Sequence, residues 1–284
     1  MKKHMKIIVC TTALAMIAML AIACGGSNTQ SGGTAQSGSE PAGGNEAQTG
    51  SAFETVEAGV LIMATSADFP PYEFWEGNEI VGIDAEIAAA IAKELGLELR
   101  IDDMDFDSIL PAVVAGRADI GMAGMTVTDE RLESVYFSTS YATGVQAIIV
   151  MENSEITSAD DLFEDGAHFN IGVQTSTTGD LYSTWDLEDE GLATVHRYRR
   201  GADAVQALLT GRVDCVIIDN EPAKAFVAAN QGLKILETEF AVEDYAIAIR
   251  RGNTALKEAI DAVLQKLIAD GTVQSIVDKY ITVD

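Results

Sequence analysis

Apolar positions along this chain fall into two periods. Val60–Ala64 is a short apolar run that predicts a strand, followed by Thr65–Trp75, which two prolines mark as loop. That loop carries four aromatics within seven residues, Phe69, Tyr72, Phe74 and Trp75, read as a local cluster, as a cover for a ligand, or as both. Asp84 is placed to cap a helix whose stripe is Ile87, Ile91 and Leu95, with Gly96 as its stop. Leu97–Ile101 predicts a strand, Asp107 caps a second helix through Ile109, Leu110, Val113 and Val114 to Gly116, and Ala118–Met122 predicts a third strand. Strand, helix, strand, helix, strand is the order of a parallel α/β sheet.

A second block of the same kind follows. Val145–Met151 is a continuous apolar run, Phe169–Val173 predicts a strand, and Val213–Ile218 predicts another. The two blocks share an internal echo: Ala112-Val113-Val114-Ala115-Gly116-Arg117-Ala118-Asp119 is matched by Ala207-Leu208-Leu209-Thr210-Gly211-Arg212-Val213-Asp214. Each stretch ends a helix at glycine and enters an apolar strand. Beyond both blocks come the apolar run Tyr245–Ile249 and an amphipathic helix over Asn253–Ala269, with Leu256, Ile260, Val263 and Leu267 inward. Gly271 ends it, and a short helix through Ile276 and Tyr280 closes the chain.

Candidate chemistry sits where predicted strands end, the place at which open α/β sheets bind ligands. After the Ala118–Met122 strand come Gly124, Thr126, Thr128 and Arg131: a missing side chain, two hydroxyls and a guanidinium fork suited to a carboxylate. A surface turn is the plainer reading of that stretch. After Phe169–Val173 come Gln174, Thr175, Ser176, Thr177 and Thr178, either an anion-friendly helix start or an ordinary N-cap with spare hydroxyls. After Val213–Ile218 come Asp219 and Glu221. One unit therefore offers a cation and the other an anion.

Composition narrows the class. The 284 residues are 48% hydrophobic, enough for one large or two ordinary cores. The 18 Lys and Arg against 44 Asp and Glu speak against nucleic acid and against charge-driven docking on an anionic membrane. Residues 1–23 read as a signal segment: Lys2, Lys3 and Lys6 precede an apolar run. Its loss would leave 15 − 44 = −29. Leu20-Ala21-Ile22-Ala23-Cys24 resembles a bacterial lipobox, in which Cys24 becomes a lipidated (palmitate-bearing) N-terminus, although Ala21 stands where leucine is usual. A plain secretory signal and an uncleaved anchor are the alternatives. From Gly25 to about Ser51 the chain is Gly, Ser, Thr, Asn, Gln and Ala, a tether of about 25–30 Å root-mean-square span. Cys10 would leave with the signal, so Cys215 stands alone as a core residue with no disulfide partner.

With these residues in view, the stretches Ser66–Phe74, Gly82-Ile83-Asp84-Ala85-Glu86, Gly124–Arg131 and Gly211-Arg212-Val213-Asp214 resemble the amino-acid-binding extracellular solute-binding proteins (family 3) of ABC importers, over roughly residues 54–282. The resemblance implies a two-lobed α/β fold of the periplasmic-binding-protein kind (type II). Lobe one would be 54–146 plus 246–284, lobe two 147–245, and the hinges would run through Ala142–Val150 and Asp244–Ile249. It further implies that Phe69 and Phe106 wall the ligand and that Gly124, Thr126 and Arg131 hold its α-carboxylate, aided by Thr177 or Thr178. Asp219 would take the α-ammonium. Ser66, where members that take basic amino acids often have an acid, and Gln174 lean the side-chain preference toward a neutral polar amino acid. Implied too are a monomer anchored by lipid on the extracytoplasmic face, a membrane permease as partner, and no cofactor. An enzyme of the dehydratase kind is the first rival, with Glu221 as its acid, but His168 and His196 lack a nucleophile or metal ligand at useful spacing. A sensory ectodomain working with a signalling partner is the second.

Overall fold

The structure is a computed structural model describing residues 53–237 and 240–281. The expected signal segment, Cys24 and the tether to residue 52 lie outside the described residues.

The first lobe is laid down in chain order. β1 (Val60–Thr65) leads into a small ribbon of β2 (Asp68–Phe69), β3 (Glu73–Glu76) and β4 (Glu79–Val81). Then come α1 (Ile83–Leu95), β5 (Glu98–Asp103), α2 (Phe106–Val114), β6 (Ile120–Gly121), α3 (Asp129–Ser134) and β7 (Val135–Phe137). β8 (Ala142–Met151) carries the chain into the second lobe. There follow β9 (Phe169–Gln174), α4 (Thr178–Ser183), β10 (Ala193–Tyr198), α5 (Gly201–Leu209), β11 (Cys215–Asp219), α6 (Asn220–Ala229), β12 (Leu233–Ile235) and β13 (Ala241–Tyr245). β14 (Ala248–Arg250), α7 (Thr254–Ala269) and α8 (Thr272–Tyr280) return to the first lobe.

The first sheet has the order β5-β1-β6-β14-β7, with β1 parallel to β5 and β6. Alternation along β1 explains its unbroken apolarity: Leu61 and Met63 pack toward α1 and α7, while Ile62 and Ala64 pack toward α2. The second sheet, β10-β9-β11-β8-β12, is built the same way. Ile148 and Val150 of β8 join one core with Ile171 and Ile217, and Ile149 joins the other with Val205 and Leu208. Cys215 is a buried member of the first of these cores.

The lobes are joined by two antiparallel strands. β8 and β13 pair from Ala142 opposite Tyr245 to Gln146 opposite Ala241. Tyr141 N–H donates to Tyr245 O at 3.0 Å, Val127 N–H to Asp244 O at 3.1 Å, and Ala246 N–H to Met125 O at 3.0 Å. The two crossings are thereby tied to each other, and the second also to the loop after β6.

Several local expectations are corrected. Thr65–Trp75 is not all loop, since β2 and most of β3 fall inside it. Its aromatics do cluster: Phe69 stacks on Tyr72, Tyr72 meets Tyr245 edge-on, and Phe74 meets Tyr280, while Trp75 stays exposed. Asp84 does not cap α1, whose N-cap position is Gly82. Its carboxylate is fully buried instead, accepting from Gly124 N–H at 2.9 Å and Tyr141 O–H at 2.7 Å. Asp105, rather than Asp107, precedes α2, and no side chain caps that helix. The internal echo is physical: Gly116 and Gly211 both take φ of 68°, closing α2 and α5 in the same left-handed turn.

Candidate ligand-binding cleft

One cleft, with about 410 Å³ of empty volume, is walled by Phe69, Phe106, Gly124, Thr126, Arg131, Gln174, Thr177, Thr178 and Asp219. All nine residues singled out from the sequence thus meet at one place. Ser66, Asp68, Glu73, Gln146 and Tyr245 complete its polar lining.

Arg131 lies in the short helix α3, where Thr128 caps the first turn by accepting from Arg131 N–H. The side chain is 6% exposed. Nη1 donates to Thr126 O at 2.8 Å, and Nη2 reaches the other lobe to donate to Ser176 O at 3.0 Å. Its guanidinium carbon sits 5.5 Å from the centre of the Phe106 ring. Burial presses its pKa down to about 10. No described carboxylate forms an ion pair with it. A cation so desolvated is costly unless paired, so this fork with free N–H donors is fitted to an anion.

Asp219 stands at the other wall, at the end of β11 and the start of α6. Oδ1 accepts from Glu221 N–H at 3.1 Å and Oδ2 from the Tyr245 hydroxyl. Burial lifts its pKa to about 7, and the nearby Glu243 and Glu221 add to the rise. A ligand ammonium would relieve both effects.

The remaining expected residues divide by role. Gly124 takes φ of 50°, and a Cβ there would come within 2.9 Å of the Phe69 ring. Its N–H is committed to Asp84, so glycine serves here to let Phe69 close over the cleft, not to grip an anion. Thr177 proves to be the N-cap of α4, its hydroxyl also donating to Gln174 O at 2.8 Å. Gln174 donates to Arg199 O at 3.2 Å. The hydroxyls of Thr126 and Thr178 both donate to Glu243, at 3.0 and 2.8 Å. Each threonine has a single O–H, so what remains for an anion is backbone N–H, which the first residue of a helix such as Thr178 leaves unpartnered.

Asp68, Glu73, Gln146, Tyr245 and Glu243 escaped the sequence reading. Glu73 is the most unusual: fully buried, with neither carboxyl oxygen meeting a hydrogen-bond donor among the described residues. Burial first, then Asp84 beside it, push its pKa well up. The available signal was an acid embedded in an aromatic segment that also had to be buried.

Fold and cleft together define a bilobal α/β protein with a cleft lined by a buried arginine and a buried aspartate from different lobes. Residues 61–283 match the bacterial extracellular solute-binding proteins, family 3, and the chain belongs to that family. It is 33% identical over 225 residues to the arginine-binding extracellular protein ArtP of Bacillus subtilis (strain 168), covering 78% of this chain and 86% of that one. With the L-cystine-binding protein TcyJ of Escherichia coli (strain K12) it shares 28% over 232 residues, covering 80% and 85%. Among solved structures, an ancestral arginine-binding protein bound to arginine superposes with a TM-score of 0.73 at 38% identity, over 78% of this chain and 98% of that one. The ancestral amino acid-binding protein AncCDT-1, a precursor of cyclohexadienyl dehydratase, gives 0.70 at 31%, over 78% and 95%. Among the described residues, no helix is long and apolar enough to cross a membrane.

Proposed function

We propose that this chain captures a free amino acid between its lobes and hands it to an ABC permease, held outside the cytoplasm by lipid on Cys24 and acting as a monomer. Lobe one would comprise residues 54–146 and 246–284, and lobe two 147–245. The observation that carries the reading is the placement of Arg131 and Asp219. They are buried opposite charges from different lobes, facing one cleft without an ion pair. An α-carboxylate and an α-ammonium supply the missing partners.

Ser66 and Gln174, the basis for expecting a neutral polar side chain, do line the cleft. Beside them, however, the lining includes Glu73, whose two buried oxygens meet no donor among the described residues, and Asp68, whose Oδ2 has no hydrogen bond and only the Arg200 guanidinium 4.0 Å away. A neutral amide has one NH₂ to offer; a guanidinium has five N–H donors and a compensating charge. We therefore favour a cationic amino acid of the arginine type; of the relatives named above, ArtP and one ancestral protein are arginine-binding, whereas TcyJ is named for L-cystine. Binding without turnover is inferred as well, because Glu221 pairs with Lys224 at 2.6 Å and is not among the cleft residues.

Thermal unfolding of the full chain with each of the twenty amino acids at millimolar concentration tests this. Ligand at a thousandfold excess over its dissociation constant adds about 4 kcal/mol of stability. Arginine or lysine should give the largest shift. Stabilisation by glutamine or serine alone would restore the neutral reading, and no shift with any amino acid would remove the proposal.

A further inference from the structure

Glu243 lies on β13, opposite Gly144 of β8, and is almost wholly buried. One of its oxygens, Oε2, gathers three donors: Thr126 Oγ1 at 3.0 Å, Gln146 Nε2 at 3.2 Å and Thr178 Oγ1 at 2.8 Å. Their origins differ. Thr126 follows β6 in the first lobe, Thr178 opens α4 in the second, and Gln146 lies on the joining strand β8. Thr126 and Gln146 are held beside β13 by backbone pairing, and Thr178 is the donor that the second lobe brings to it.

The same segments fix Arg131. Thr126 contributes the carbonyl that accepts from Nη1, and Ser176, two residues before Thr178, contributes the one that accepts from Nη2. Glu243 is also the principal attractive charge on the buried guanidinium, although no ion pair forms. Charge-assisted hydrogen bonds are about twice as strong as neutral ones. A single carboxylate therefore ties both halves of the cradle that aims the fork.

We propose that Glu243 is the positioning residue of this site, a hinge-borne carboxylate that assembles the anion subsite as the lobes close. The proposal rests on the reading that Arg131 receives the ligand carboxylate. It has a corollary that does not: Glu243 favours the closed arrangement even without ligand.

The test places spin labels at Asp107→Cys and Asp203→Cys in the full chain, with Cys10→Ser and Cys24→Ser removing other reactive thiols. Both positions are exposed, Asp107 on the first lobe and Asp203 on the second, and both carry charges that act on Arg199 of the second lobe. Without ligand, Glu243→Ala should move the distance distribution to longer values. Glu243→Gln, which keeps a neutral acceptor, should lie between it and the parent. Arginine affinity should fall on the order of tenfold in Glu243→Ala, following the loss of binding-competent population. Unchanged distances in Glu243→Ala overturn the proposal, whatever happens to its melting temperature. Should Glu243→Ala not fold, Thr178→Val removes one arm of the clasp and must lengthen the same distances; if it does not, the proposal fails. If no amino acid binds the parent protein, the amino-acid reading falls while the unliganded distances still decide the role of Glu243.

Discussion

Arg131 and Asp219 line one cleft from opposite lobes and leave each other unpaired. Arg131 spends two of its donors on the carbonyls of Thr126 and Ser176, and Asp219 is held by Glu221 N–H and the Tyr245 hydroxyl. A molecule carrying both an anion and a cation would supply each with its missing partner. Removing either partner leaves a ligand charge buried without compensation, at a cost of roughly 2–5 kcal/mol. Titration calorimetry on Arg131→Met and Asp219→Asn should show at least about a thirtyfold loss of affinity in each. A change under about threefold in both would place the ligand elsewhere.

Ligand-free stability should fall as pH rises toward neutrality. Burial lifts Asp219 from 3.8 to about 7 and Asp84 from 3.8 to about 6. An acid whose folded pKa is raised contributes stability fully present below its unfolded pKa and lost as pH climbs through the folded one. The window is therefore about pH 4 to 7. Acids held low, such as Glu86, Glu188 and Asp270, act with the opposite sign but only at more acid pH. Scanning calorimetry should find a higher melting temperature near pH 5 than near pH 7.5, with a shallower fall in Asp219→Asn. Bound ligand, by pairing with the ionised aspartate, should flatten the slope too. A melting temperature that rises over that interval contradicts the assignment.

The parts that could be read in advance were those whose meaning is local. β8 announces itself because helices or loops cover both faces of Ile148–Val150, leaving no polar position to alternate. Arg131 was legible because hydroxyls and a glycine surround it at the end of an apolar strand. Asp84 was misread because an acid ahead of an apolar stripe has the look of a cap. Its actual partners, Gly124 N–H and Tyr141 O–H, lie 40 and 57 residues away. Glu243 is the extreme case, since its donors come from both lobes and from the strand between them. In isolation it is one acid among many in an acidic chain.

Gly144→Ala should disable the cleft by displacing Tyr245 of its lining, although Gly144 is not itself a lining residue. A Cβ at this position in β8 would stand 2.2 Å from the Tyr245 ring and hydroxyl. Tyr245 is packed against Tyr72 and nearly inaccessible, so it has little room to yield. Overpacking of this kind costs about 1–3 kcal/mol. Moving the hydroxyl also removes the donor to Asp219 Oδ2. Loss of melting temperature and of affinity together is expected; a variant that binds and melts like the parent would mean that the ring is free to shift.

Glu73→Gln separates charge from shape at the far end of the cleft. In the ligand-free protein Glu73 is driven toward its protonated form by burial and by Asp84. A cationic side chain entering beside it favours the carboxylate, so binding must expel a proton. Calorimetric titrations with arginine in buffers of different ionisation enthalpy should therefore report net proton release. In Glu73→Gln that release should shrink and arginine should bind more weakly, while glutamine, if it binds at all, should lose less. Isosteric replacement leaves the volume alone, so packing cannot produce this crossover. Equal losses for arginine and glutamine, with proton release unchanged, would show that Glu73 supports the wall of the cleft without reading the ligand's charge.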